Sequence, residues 1–167
     1  ILHWSWSQWR GDHPAQRLDF GALTEEQFAT TLRAAVLHRF GFSLRLPELR
    51  PELLAVLRSH VEIYTSTIAP LVRDGEIHRL TGQPQRGGFG ERAPAFQLSS
   101  GGSHVITQFV LDGGQTPAAV HPVLDPTREY RATDLATGAE LPLGERGIPL
   151  DDRGGVVTSW LILVEEI

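Results

Sequence analysis

A tryptophan-rich stretch near the start of the sequence carries the residues best suited to chemistry. Trp6 and Trp9 offer flat aromatic faces, and Arg10, Asp12 and His13 follow within eight positions. Sugars present apolar C–H faces ringed by hydroxyls, so stacking aromatics next to polar side chains suit a sugar site. The alternative is that alternate tryptophans pack into a core and the polar residues form only a turn. These five residues are our candidate substrate-binding residues.

A catalytic role has little support in the sequence. Asp12 and His13 are neighbours in a turn, and a glycosidase needs two acids on either side of the scissile bond. No Gly-x-Ser-x-Gly motif and no His-x-x-x-His pair is present. The run 87–90 lacks the Lys-Ser/Thr of a phosphate-binding loop, and Asp151 and Asp152 are typical of a solvated hairpin end. We therefore assign no catalytic residue, no metal ligand and no cofactor.

Composition excludes several classes of partner. The sequence has 15 basic and 20 acidic residues, for a formal net charge of -5, and no cysteine. A nucleic-acid or anionic-membrane surface needs a basic face, so neither partner is expected. Disulfides and thiolate metal sites are excluded, and no run reaches the ~20 apolar residues of a membrane span. Because the sequence opens inside an apolar, aromatic run, we expect a piece of a longer protein; a mature secreted domain is the alternative.

Residues 1–75 are expected to be helical after an initial strand end and turn. Thr24 and Gln27 form a capping box, and apolar residues recur at helical spacing until Gly41, a good stop. Pro51 suits the first turn of a second helix. Pro70 should kink or end that helix, and the dipeptide 74–75 closes the segment.

From residue 76 onward, short apolar runs alternate with Gly- and Pro-rich turns. This pattern predicts an antiparallel sandwich or barrel of about ninety residues. In this half Trp160 is expected to be core, and residues 83–94 a surface loop. The predicted strands are 76–80, 95–98, 103–111, 118–123, 129–134 and 156–164.

Three passages resemble the last third of family 36 glycoside hydrolases, the α-galactosidase-like enzymes. The first is a helix ending in Leu37-His38-Arg39-Phe40-Gly41-Phe42-Ser43-Leu44. The second is an amphipathic helix running into Val72-Arg73-Asp74-Gly75-Glu76-Ile77-His78-Arg79-Leu80. The third is Val123-Leu124-Asp125-Pro126-Thr127-Arg128-Glu129-Tyr130, followed by Gly147-Ile148-Pro149-Leu150 and a final strand. Residues 1–22 match this family poorly, which indicates a divergent subgroup.

The resemblance implies an α+β chain. Residues 1–75 would be the end of a catalytic (β/α)₈ barrel, with its last strand, loop and two helices, and residues 76–167 a C-terminal β-sandwich domain. The parent would be a retaining, cytoplasmic α-galactosidase-like hydrolase acting on terminal α-galactosides or related oligosaccharides. Its two catalytic aspartates match nothing in this sequence, so this chain alone is expected to be inactive.

The partner would be the carbohydrate substrate of the parent enzyme, and assembly into a homo-oligomer stays open. The alternative function is that of a non-catalytic helical and β-sandwich module that binds carbohydrate or protein.

Overall fold

A computed structural model of the chain describes residues 23–38, 40–41, 46–84, 89–154 and 157–167. The chain divides into two compact units, residues 1–72 and 73–167. The first unit is helical in its described part and the second is built from antiparallel strands, so the predicted α+β class is confirmed.

The first helix, α1, begins where the sequence predicted. The hydroxyl of Thr24 accepts from the Gln27 amide at 3.2 Å, and the Thr24 amide donates to the Gln27 side chain at 2.9 Å. The predicted end near Gly41 is wrong, because α1 spans only Glu25–Arg33. Beyond it, the amides of Ala35 and His38 bond to carbonyls three residues back, so the chain tightens into turns.

The second helix, α2, begins at Pro51 as predicted and spans Pro51–Ile63. The prediction that Pro70 ends it is only partly right. A π-helical segment, Tyr64–Ile68, follows at once, and helix α3, Ala69–Asp74, carries Pro70 in its first turn. Proline has no amide hydrogen and its ring clashes with the carbonyl four residues back. The Ala69 amide bonds to the Tyr64 carbonyl, five residues back, so the wider turn lies immediately before the proline.

The second unit contains a six-stranded antiparallel sheet and a two-stranded one. The strand order is β1-β2-β3-β8-β5-β6 in the large sheet, and β4 pairs with β7 in the small one. Strands β6 and β7 were not predicted, because two residues are too few to show an alternating pattern. The strands are β1 Glu76–Arg79, β2 Ala95–Ser100, β3 Ser103–Val110, β4 Ala119–Val120, β5 Tyr130–Asp134, β6 Glu140–Leu141, β7 Ile148–Pro149 and β8 Thr158–Glu166.

The two sheets share one hydrophobic core. Val120 of β4 and Ile148 of β7 pack with Ile106, Trp160 and Ile162 of the large sheet. Trp160 is only 1% exposed, which confirms its prediction as a core residue. Burial of apolar surface at ~25 cal/mol per Å² makes this core the main source of stability of the second unit.

The helical unit has a core of its own. Phe28 and Leu32 of α1 pack against Leu53 and Leu57 of α2, with Leu49 closing the cluster. The three- and four-residue spacings of these side chains place them along one face of each helix, as the sequence pattern requires.

Candidate functional site

The five predicted sugar-binding residues lie outside the described residues. Trp6, Trp9, Arg10, Asp12 and His13 all fall within residues 1–22. Their role therefore stays a prediction.

An apolar groove runs along α2 in the helical unit. Its volume is about 580 Å³. Leu57 is buried, and Arg58, Glu62 and Thr65 supply its polar lining atoms. A retaining glycosidase needs two carboxylates, whereas Glu62 is the single carboxylate in this lining, so the groove is not such a site. The lining residues are Leu46, Pro47, Leu54, Leu57, Arg58, Val61, Glu62 and Thr65.

An ion pair with one buried partner lies within α1. Arg33 Nη1 lies 3.2 Å from Glu26 Oε1, and the guanidinium side chain is almost fully buried. His60 is buried as well, and its Nδ1 lies 2.8 Å from the Val56 carbonyl. Burial lowers the pKa of His60, because a charged imidazolium would lose its hydration.

In the β unit, a buried amide holds the segment after β4. Gln97 is 1% exposed. Its Nε2 donates to the Val123 carbonyl at 2.8 Å and its Oε1 accepts from the Val123 amide at 2.9 Å. The side chain therefore bonds to this segment as a neighbouring strand would. The sequence carried a weak signal for it, namely a glutamine at an inward-facing position between Ala95 and Ser99.

The same network includes His104 and favours one tautomer of its ring. The second hydrogen of Gln97 Nε2 points to Ser99 Oγ at 2.9 Å, and Ser99 Oγ lies 2.9 Å from His104 Nδ1. Gln97 Nε2 also lies 3.3 Å from Nδ1, so Nδ1 is best assigned as an acceptor. His104 Nε2 is buried without a hydrogen-bond partner in the described part. Burial lowers the pKa of His104, and its ring makes an edge-type contact with that of Tyr130, with the ring centroids 5.7 Å apart.

A second polar cluster lies beside Trp160. The indole Nε1 donates to Asp151 Oδ1 at 2.9 Å, and this bond lowers the pKa of Asp151. The Arg153 guanidinium lies 5.1 Å from the indole centroid and donates to the buried Asp134. The Gly-flanked turn predicted Asp151 to be only a solvated hairpin residue. Its side chain is 70% exposed, but it also accepts a hydrogen bond from the buried Trp160.

Neither β cluster brings together three metal-ligating side chains among the described residues. No group of three or more His, Asp or Glu side chains in the described ranges could hold a metal ion. None of the helices in those ranges is long and apolar enough to cross a bilayer. Both clusters bond inward to backbone or core residues, so their evident role is to hold the segments 121–125 and 151–154 on the sheet.

Comparison with known proteins decides the fold. No family model and no curated protein matches this sequence. The α-galactosidase AgaA of Geobacillus stearothermophilus, a family 36 glycoside hydrolase solved as a variant with raffinose, matches with a TM-score of 0.67 over 93% of this chain. This chain has the fold of a part of that enzyme. The AgaA sequence is 17% identical and the match covers 20% of its chain.

Two further solved structures agree with this match. AgaB of the same organism has a TM-score of 0.66 at 16% identity, over 93% of this chain and 20% of its own. A variant of AgaA in complex with stachyose has a TM-score of 0.67 at 17% identity, over 93% and 21%. The chain therefore spans about a fifth of the length of these α-galactosidases. The resemblance read from the sequence is confirmed for the fold, and the coverage is consistent with their C-terminal part.

Proposed function

We propose that this chain is the C-terminal part of a retaining α-galactosidase-like glycoside hydrolase. One observation carries the proposal: a fold match over 93% of this chain to a fifth of an α-galactosidase. The parent would act on terminal α-galactosides or related oligosaccharides in the cytoplasm. Two of the matched structures, both variants of AgaA, contain raffinose and stachyose, which supports a carbohydrate substrate here.

In this proposal the helical unit is the end of the catalytic barrel. Residues 1–75 would supply the last strand, its loop and two outer helices, and residues 76–167 the β-sandwich domain. In such barrels the active site lies at the C-terminal ends of the strands. Trp6, Trp9, Arg10, Asp12 and His13 would then stand at the rim of the sugar pocket. The two aspartates of the retaining mechanism would come from the rest of the parent.

Kinetics of the complete parent enzyme test the proposed role of the rim. We expect Trp9→Ala to lower kcat/KM for an α-galactoside about 10- to 100-fold, because stacking on the sugar face is lost. The matched control is Phe89→Ala, since Phe89 is 82% exposed in the β unit and outside the predicted rim. Equal kcat/KM values for Trp9→Ala, Phe89→Ala and the parent would contradict the assignment of the rim.

A further inference from the structure

The sequence contains two Asp-Gly dipeptides, Asp74-Gly75 and Asp112-Gly113. At such a dipeptide the amide nitrogen of the glycine can attack the carboxyl group of the aspartate and close a five-membered ring. Glycine favours this reaction because it has no side chain to hinder the approach and its backbone rotates freely. The structure around each dipeptide shows which of the two is placed to react.

The dipeptide Asp112-Gly113 forms the tip of the turn that follows β3. The Gly114 amide donates to the Leu111 carbonyl at 2.8 Å. Gly113 has a φ of +70°, and no described residue other than glycine has a positive φ, so this is a type II turn. Both central residues are exposed. Among the described residues, neither the Asp112 carboxylate nor the Gly113 amide has a hydrogen-bond partner, so these two groups are free to meet.

A guanidinium group lies against the same peptide unit. Arg92 Nη1 donates to the Asp112 carbonyl at 3.2 Å, and it occupies the space where a side chain on Gly113 would stand. A cation on this carbonyl makes the Gly113 amide hydrogen more acidic, because it stabilises the negative charge that spreads onto the oxygen when the nitrogen loses its proton. The Arg92 side chain is long and exposed, so it can follow the carbonyl as the backbone rotates toward ring closure.

The other dipeptide has a different environment. Asp74 is the last residue of α3, and the hydrogen bonds of a helical backbone resist the rotation that ring closure needs. Arg73 Nε donates to Asp74 Oδ2 at 3.0 Å. Here the cation bonds to the carboxylate that would be attacked, whereas at Asp112 it bonds to the peptide group that attacks.

We propose that Asp112 is a site of spontaneous isomerisation to isoaspartate, promoted by the Arg92 guanidinium. The Gly113 nitrogen loses its proton and bonds to Asp112 Cγ, one carboxyl oxygen leaves as water, and a succinimide forms. Water then adds to one of the two imide carbonyls that involve Asp112. Addition at Cγ restores the aspartate, whereas addition at the backbone carbonyl carbon leaves the chain running through Cγ and lengthens the backbone by one carbon atom.

Uptake of heavy oxygen measures this reaction, since each passage through the succinimide takes one oxygen atom from the solvent. The 167-residue chain is incubated in heavy-oxygen water at neutral pH, digested in ordinary water at acidic pH, and read by fragmentation mass spectrometry. We expect Asp112 to take up label at least about threefold faster than Asp74, with isoaspartate at position 112. Asp125 is the internal control and should take up none, because Pro126 has no amide hydrogen. Equal uptake at Asp74 and Asp112, or none at Asp112, would overturn the proposal.

A substitution tests the part played by Arg92. Arg92→Gln removes the charge and keeps the backbone carbonyl that accepts from the Leu111 amide at 2.7 Å. Because exposed charges interact weakly, we expect the uptake at Asp112 to fall about two- to fivefold. The matched control is Arg131→Gln, which removes the same charge from an exposed side chain of β5. This control should leave the rate at Asp112 unchanged.

Unfolding separates the effect of the turn from that of the sequence. Thermal unfolding followed by circular dichroism checks that each variant is folded. In concentrated urea the contact between Arg92 and the turn is lost, so the wild type and Arg92→Gln should take up label at Asp112 at the same rate. A difference that persists in urea, or a folded Arg92→Gln with unchanged or faster uptake at Asp112, would overturn the role proposed for Arg92.

Discussion

At the scale of single residues, buried amides and imidazoles hold segments of the β unit that have little regular structure. Strand β4 ends at Val120, and the segment 121–125 that follows it pairs with none of the described strands. The Gln97 amide bonds to both backbone groups of Val123. A buried polar group left unpaired costs more than an average hydrogen bond contributes. Replacing a residue of this network should therefore destabilise the unit more when it leaves more buried polar groups without a hydrogen bond.

We expect Gln97→Leu to lower the free energy of unfolding by about 2–4 kcal/mol, because it leaves both backbone groups of Val123 without their partner. Urea denaturation followed by circular dichroism measures this change. The matched control is Gln115→Leu, since Gln115 is exposed and changes at such positions usually stay within about 0.5 kcal/mol. Similar values for the two variants would contradict the bonding seen at Gln97.

The two buried histidines predict that stability depends on pH. Burial lowers the pKa of both His60 and His104. The unfolded chain then binds protons at a higher pH than the folded chain, so the unfolding free energy falls as pH drops below about 6.5. Urea denaturation between pH 8 and pH 5 tests this dependence.

A variant assigns part of that dependence to one histidine. His104→Phe keeps a ring beside Tyr130 but cannot be protonated. It should show a shallower loss of stability between pH 6.5 and pH 5 than the wild type does, whatever its stability at pH 8. An unchanged slope would show that His104 does not contribute.

At the scale of elements, the capping box decides where the first helix begins. Thr24 and Gln27 satisfy two amides that the helix cannot bond internally. We expect Thr24→Ala to cost about 1 kcal/mol of stability, whereas Thr24→Ser keeps the hydroxyl and should cost much less. Thermal unfolding compares the two variants, and equal losses would contradict a capping role.

The elements also show which structural features can be predicted from sequence. The start of α1 and six strands carry local signals, namely a cap, alternation and turn residues, and these predictions are confirmed with shifts of a few residues at their ends. The end of α1 depends on a change in hydrogen bonding after Arg33 that no single residue marks. The contacts of Gln97 and Asp151 depend on strand register and on loops returning to the sheet, which a local pattern does not encode.

At the scale of the whole molecule, the fold is similar to that of known proteins although the sequence identity is low. At 17% identity the match to AgaA rests on backbone geometry over 93% of this chain. Core positions require apolar residues of suitable volume rather than particular ones, so a fold persists while sequence identity falls. Function depends on specific side chains, and the predicted sugar-binding residues between Trp6 and His13 remain a prediction from sequence.

The measurement that tests the central claim most directly is galactose release by the complete parent protein. We predict turnover of a chromogenic α-galactoside with retained anomeric configuration, no turnover of the matching β-galactoside, and none of either by the 167-residue chain alone. Turnover by the isolated chain, or a folded parent that leaves the α-galactoside intact, would contradict the account.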